Sequence, residues 1–333
     1  MKILLDKNKK FYKGNMHCHS TLSDGTFTPE ELKAMYKGKG YSFLAITDHE
    51  HVNNNSYLDD EDFLTITSAE YAIKEFPKES TLVNLNMKVC HLNIYAKKQD
   101  NDYSVCYNSV LDHFSKGTKI NKDDTDYGRV YGKDGINDLI KKANEAGFFV
   151  AYNHPRWSLE NYGDYGGYEG LWGVEIFNTS VNDGGLYEYD INVLDDFLRD
   201  GKRIFATSGD DNHNHNKENP LSDSFGTFLM VNAESLTYDN IITALLKGDF
   251  YTSTGPIIEE LYVEDVKVHI KCSPASKITL STRGRRTARC DAKDAPLTEA
   301  VFEIKEKDEY IRLDVIDENG RRANTQGYFV NEL

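Results

Sequence analysis

Residues 28–49 read TPEELKAMYKGKGYSFLAITDH, and this stretch decides the fold. Thr28 can cap a helix, Pro29 suits the first helical position, and Glu31 stands three residues after the cap, where its carboxylate reaches back as a capping box. Leu32, Met35 and Tyr36 recur at the spacing of one helical face, and Gly38 and Gly40 end the helix. Residues 43–47, apolar up to Thr47, read as a buried strand, with Asp48-His49 where that strand stops. A helix feeding a fully buried strand is the repeating half-unit of a parallel α/β sheet.

The unit recurs on both sides. Residues 136–146 have a helical period, Gly147 terminates it, and residues 148–152 form a strand delivering Asn153-His154-Pro155. Residues 174–177 form a strand carrying Glu175, residues 204–208 one ending in Gly209-Asp210-Asp211-Asn212-His213, and residues 237–247 a last helix closed by Gly248. The expected class is α/β, with chemistry-bearing residues at the carboxyl ends of strands, where α/β barrels build their sites. Residues 63–69 are a further strand, after which Glu70 comes. Residues 100–133 are polar and without period, an insertion or loop. Gly255-Pro256 then marks a boundary, and alternating runs at 266–271, 277–281, 299–304 and 310–316 are expected to form a small β-sandwich. The expected division is 1–255 and 256–333.

Composition narrows the function. The chain of 333 residues has 39 Lys+Arg against 54 Asp+Glu, a net charge of −15, which disfavours tight binding to long nucleic acid. A metal site would reverse the sign locally, so a small phosphorylated substrate remains open. The opening residues contain no membrane span or signal peptide. Five cysteines, odd in number and without CxxC spacing, argue against a disulfide framework or zinc ribbon. The expectation is a reduced, cytoplasmic protein.

Six of the ten histidines stand in short motifs. His17 and His19, two apart on an extended segment, share a face and can reach one cation. Asp24, in the turn-like Ser23-Asp24-Gly25, can fold a carboxylate back toward them. His49 follows a buried strand, and Glu70 could bridge two cations. His91 lies in the apolar run Cys90-His91-Leu92, His154 precedes Pro155, and Asp211-x-His213 closes the series. Each has a bland alternative: a chance HxH, a turn aspartate, a packed core histidine. Coincidence explains the whole set poorly. Arg156 is a candidate to fork onto a phosphate or carboxylate. His51, His113, His215 and His269 fit no motif and are read as non-ligands, and Cys18 as packing on the face opposite His17 and His19.

In this order the motifs resemble the PHP superfamily, named for polymerase and histidinol phosphatase, over about residues 15–255. The stretches 174–178, 250–256 and the β-rich tail further resemble its carbaryl-hydrolase-like (CehA/McbA-type) branch. The resemblance implies a distorted (β/α)7 barrel with a small C-terminal β-sandwich and two to three divalent ions, Zn, Mn or Fe. It implies that His17, His19, Glu70 and Asp211 hold one ion, that Glu70, His91 and His154 hold a second bridged by Glu70, and that Asp24, His49 and His213 hold a third. Whether Asp210 or Asp211 ligates stays open, the Asp-x-His spacing favouring Asp211. Such ions lower the pKa of a bridging water, so no protein nucleophile is needed. The expected activity is phosphoester hydrolysis on a small compound or nucleotide end, with Glu70, Asp211 and Arg156 at its centre. The alternatives are carbamate, ester or amide hydrolysis, or a non-catalytic binding module.

Overall fold

A computed structural model describes residues 1–76, 86–114, 119–187 and 189–333. The first three quarters contain β1 (Lys2–Leu5), β2 (Lys10–Asn15), α1 (Pro29–Gly38), β3 (Phe43–Ala45), β4 (Leu64–Ile66), β5 (Ser68–Lys74), β6 (Val89–Ala96), α2 (Lys133–Glu145) and β7 (Phe148–Tyr152). They continue through α3 (Tyr162–Tyr165), β8 (Gly173–Asn178), α4 (Thr179–Asp183), α5 (Ile191–Arg199), β9 (Phe205–Gly209), β10 (Phe228–Ala233), α6 (Tyr238–Lys247) and β11 (Phe250–Ser253). The remainder is β12 (Ile258–Glu264), β13 (Lys267–Ala275), β14 (Lys277–Thr282), β15 (Thr287–Asp291), β16 (Leu297–Glu303), β17 (Tyr310–Ile316), β18 (Arg322–Asn324) and β19 (Tyr328–Phe329).

The local signals explain the helices. Thr28 accepts from the Glu31 amide (3.3 Å) while the Glu31 carboxylate accepts from the Thr28 amide (2.8 Å), so two of the otherwise unbonded N–H groups of α1 are satisfied. Thr237 caps α6, and Gly248 ends it in the left-handed conformation (φ 79°). Ile241, Ile242 and Leu245 of α6 bury one face against Phe43, Leu229 and Phe250.

The sheet differs from a uniformly parallel β/α series. β2, β3 and β4 pair in parallel, as do β7, β8 and β9, but β6 runs antiparallel to both β5 and β7. Among the described residues, helices of nine or more residues stand only before β3, β7, β9 and β11. The protein is therefore mixed α/β and rich in strands. Beyond the regular strands, the His49–Glu70 bridge joins the β3 and β5 edges, and the Cys18–Asn212 bridge joins the β2 and β9 edges. Asp211 donates its amide to the His17 carbonyl (2.8 Å) and His19 donates to Asn212 (3.1 Å), so these junctions meet at one end, where the predicted ligands lie. Residues 100–114 and 119–132 carry no helix or strand.

Residue 255 lies in the bend between β11 and β12, and strands from either side of it share sheets. β18 pairs with β11 and β17 with β18, so one sheet runs from β15 across to β4, while β1 pairs with β12 in a second sheet. The core between them combines Leu5 and Tyr251 with Ile258, Ile270, Leu313 and Val315. Arg312 of β17 forks onto Asp195 of α5 through two bonds of 2.9 Å, and the buried Gln326 side chain bonds both backbone groups of Ala206 (2.7 and 3.1 Å). No helix among the described residues is long and apolar enough to cross a membrane.

Candidate metal centre

The chain leaves β2 extended, so His17 and His19 face one way and Cys18 the other, into a cluster with Leu32, Tyr36 and Leu44. The turn that follows is tied down by Asp48, which accepts from the Ser20 amide (2.8 Å), the Ser20 hydroxyl (2.7 Å) and the Ser23 hydroxyl (2.7 Å). Gly25 lets this turn close, since a Cβ there would lie 2.2 Å from the His19 carbonyl oxygen. Asp24 is thereby brought to 3.4 Å from His213 Nε2 and 3.5 Å from His49 Nε2.

Glu70 lies within β5, which runs on to Lys74; the expected strand over residues 63–69 divides into β4 and the first residues of β5. Its Oε1 lies 3.0 Å from His91 Nδ1, 3.2 Å from His17 Nε2 and 3.3 Å from His154 Nε2, and its Oε2 lies 3.2 Å from His49 Nδ1 and 3.4 Å from His19 Nε2. One carboxylate thus faces five imidazoles. Asp211 Oδ1 lies 3.0 Å from His19 Nε2 and 3.1 Å from His17 Nε2. His154 (φ 26°) and Asp211 (φ 53°) both hold left-handed backbone, which costs free energy at residues other than glycine and marks positions fixed by their surroundings. Gly209 permits the close packing, as a Cβ there would meet that of His17 at 2.2 Å.

Asp210 does other work. Its buried carboxylate accepts from Tyr36, Thr179 and the amides of Phe225 and Gly226, and burial pushes its carboxyl up to about 6 against those hydrogen bonds. It joins no donor set.

Three such sets form: His17, His19, Glu70 and Asp211; Glu70, His91 and His154; and His19, Asp24, His49 and His213, the offered atoms of each lying within 4.8 Å of one another. All nine sequence-predicted metal residues come together, and His19 also faces the third set. Arg156 does not join them. It is exposed, donates its amide to Asp190 (3.2 Å), and is not on the cavity wall. Its neighbour Trp157 is on that wall, 4.9 Å from the His154 ring and 5.0 Å from that of His91. Of the histidines set aside, His51 is buried near Asp112, His269 stacks on Tyr262, and His215 meets the Asp24 carbonyl with its ring 5.5 Å from that of His213, whereas His113 lines the cavity outside the donor sets.

Charge within the cluster is self-compensating. Burial works against protonated His17, but Asp211, Glu70 and Glu175 outweigh it and raise its pKa well above the imidazole range. The same contest pushes His19 up to about 10, through Asp211 and Glu70. Burial likewise opposes ionisation of Glu70 and Asp211, yet His91 and His17 hold Glu70 low and His17 and His19 hold Asp211 low. Asp24 is lowered, against burial, by His213 and His49. His91 is the exception, lowered by burial to about 4 despite Glu70. The raised imidazoles of His17, His19 and His49 reflect the carboxylates beside them. Imidazole with carboxylate in each set suits divalent transition ions, so the residues fit such a centre.

Sequence reading gave no role to the groups behind the donor residues. Glu175 Oε1 lies 3.0 Å from His17 Nδ1, and its Oε2 accepts from the His154 amide (3.1 Å) and Asn178 (3.0 Å). Asn153 donates to Glu70 (2.8 Å) and Asn178 to Asp211 (3.0 Å). The available signal was a charge inside the apolar strand Val174-Glu175-Ile176.

Fold and site together define an α/β protein with a candidate polynuclear cation centre at one end of its strands. No protein-family model and no curated protein matches the chain. A two-domain protein from Bacteroides vulgatus, with a PHP-like metal-dependent phosphoesterase domain assigned by prediction, has 14% identity and a TM-score of 0.45 over 99% of this chain and 90% of that one. A candidate metal-dependent phosphoesterase from Bifidobacterium adolescentis has 15% identity and a TM-score of 0.38 over 70% of this chain and 95% of that one. An amidohydrolase from Chromobacterium violaceum, with bound sulfate and no metal, has 13% identity and a TM-score of 0.36 over 60% of this chain and 87% of that one. Likeness at this level says nothing about chemistry, which the side chains themselves supply.

Proposed function

We propose that the chain is a metal-dependent hydrolase of the PHP kind, a phosphoesterase acting on a small phosphorylated compound or nucleotide end. One observation carries the reading: nine side chains form three donor sets, sharing His19 and Glu70, at a cavity of about 540 Å³. His17, His19, Glu70 and Asp211 would hold one divalent ion, Glu70, His91 and His154 a second, and Asp24, His49 and His213 with His19 a third, as Zn, Mn or Fe. When bound, such ions bring the pKa of a coordinated water toward neutrality and polarise a phosphoryl or carbonyl oxygen.

The chain's own residues do the positioning. Glu175 holds the His17 ring by Nδ1, which directs Nε2 into the site. Trp157 and Phe114 cover His154 and His49, narrowing the approach of bulk water. We also read the strand junctions as a distorted (β/α)7 barrel of the carbaryl-hydrolase-like branch, and the setting as cytoplasmic. Carbamate, ester or amide hydrolysis is the second reading, favoured by the apolar wall of Leu111, Phe114, Val181 and Leu186 and by the absence of Arg156 from it.

The test is metal analysis of purified protein with a screen of phosphomonoesters, phosphodiesters, nucleotides, carboxyl esters and carbamates. At least two transition-metal ions per chain and phosphate-ester turnover inhibited competitively by inorganic phosphate are expected. Less than about one ion after reconstitution would overturn the metal centre. Turnover of a neutral ester or carbamate, indifferent to millimolar phosphate, would decide for the second reading.

A further inference from the structure

Resting on that reading, we propose that the cavity takes an elongated substrate carrying a second anionic group, carboxylate or phosphate, and that Lys74 binds this group at the end away from the donor sets. Alternate residues of a strand share a face, and Glu70, Ala72 and Lys74 of β5 all line the cavity. Their outward neighbours Tyr71 and Ile73 are packed in the core with Leu92. At about 3.3 Å per residue, the Lys74 Cα lies roughly 13 Å along the strand from that of Glu70. The cavity floor therefore runs from five imidazoles at one end to an ammonium group at the other, with the methyl group of Ala72 between.

Charge accounting on the wall singles out Lys74. It is the one lysine or arginine among the described lining residues, and no described carboxylate pairs with it. Glu50, on the same wall, is committed to Arg129 at 2.7 Å, both side chains being almost fully buried, and Arg129 also donates to the Ala72 carbonyl (2.8 Å). Among the described lining residues, the cavity thus has a cation that no carboxylate pairs. Leu111, Trp157 and Leu186 add apolar surface to the cavity wall. The matching substrate has its scissile group at the donor sets, an apolar middle, and an anion on the order of 10 Å away.

The test uses ligands that are not hydrolysed, read by fluorescence of Trp157 on the wall and by calorimetry on the metal-loaded protein. Alkyl monophosphonates are compared with α,ω-bisphosphonates, ω-phosphonocarboxylates and α,ω-dicarboxylates of two to eight carbons. The longer doubly anionic ligands are expected to bind at least about 10-fold more tightly than their singly anionic counterparts. Lys74→Met removes that advantage while leaving monophosphonate affinity unchanged, and Lys74→Arg keeps it. Lack of a length-dependent advantage in every series, or its survival in Lys74→Met, would overturn the proposal. If phosphate esters are never hydrolysed while the Lys74-dependent preference persists in the dicarboxylates, the phosphoesterase reading fails and the Lys74 assignment stands.

Discussion

Replacing Glu175 with Gln should weaken metal binding although Glu175 belongs to no donor set. Its carboxylate is 2% exposed and serves three ligand residues: the ring of His17, the backbone of His154 and, through Asn178, Asp211. Gln keeps the shape but replaces one acceptor by a donor. With its oxygen toward His17, its NH₂ group confronts the His154 amide and the Asn178 NH₂, leaving buried donors opposed at about 1–3 kcal/mol each. With its oxygen toward those two donors, the NH₂ group faces His17 Nδ1, which becomes an acceptor and moves the proton to Nε2, the atom facing Glu70 and Asp211. The second orientation preserves more hydrogen bonds, so the variant adopts it and blocks a ligand atom. Loss of such a supporting carboxylate costs about 10–100-fold in metal affinity, or roughly 1.4–2.7 kcal/mol. Titration against a competing chelator measures this, with circular dichroism confirming the fold. Wild-type affinity in a folded Glu175→Gln protein would refute the reasoning.

Glu70→Gln should lower metal stoichiometry by more than one ion, because Glu70 serves two donor sets, while His215→Ala leaves it unchanged; equal losses in elemental analysis would show the assignment to be wrong. Stability of the metal-free protein should fall as pH rises from about 6.5 to 10. His17, His19 and His49 have folded pKa values raised above the unfolded imidazole, so their stabilisation is complete below about 6.5 and is lost as pH climbs through the folded values. Metal binds the deprotonated imidazoles, so the gain in Tm on adding metal should widen across that window, and a gain independent of pH in thermal melts would contradict this. Arg312→Met leaves Asp195 and Asp314 without their buried guanidinium partner. The expected cost is about 3–5 kcal/mol, a fall in Tm of roughly 5–10 °C with metal content per folded chain unchanged, and a loss below about 1 kcal/mol would show that the junction contributes little.

Legibility differed by the range over which each signal acts. The capping box of α1 involves residues three apart, and Thr28 and Glu31 make both its bonds. The left-handed end of α6 required glycine, and Gly248 supplies it. The donor residues that gather at the site were legible because a charged or imidazole group at the end of an apolar run is costly unless something there uses it. Strand direction was not legible, since the apolar run at 89–96 reads alike whether β6 runs parallel or antiparallel to its neighbours. The alternating strands after residue 255 were legible but not their partners, which include β1 and β11. Arg129 shows the same limit from the other side. It lies in a segment that reads as polar loop, yet its guanidinium is buried against Glu50, one residue beyond His49, and packs over the Tyr71 ring at 4.4 Å. A polar residue with a buried partner 79 positions away looks like any surface arginine until the chain is folded. The same segment brings Leu111 and Phe114 to the cavity, so the part of the sequence with the weakest pattern supplies walls for the site whose ligands had the strongest one.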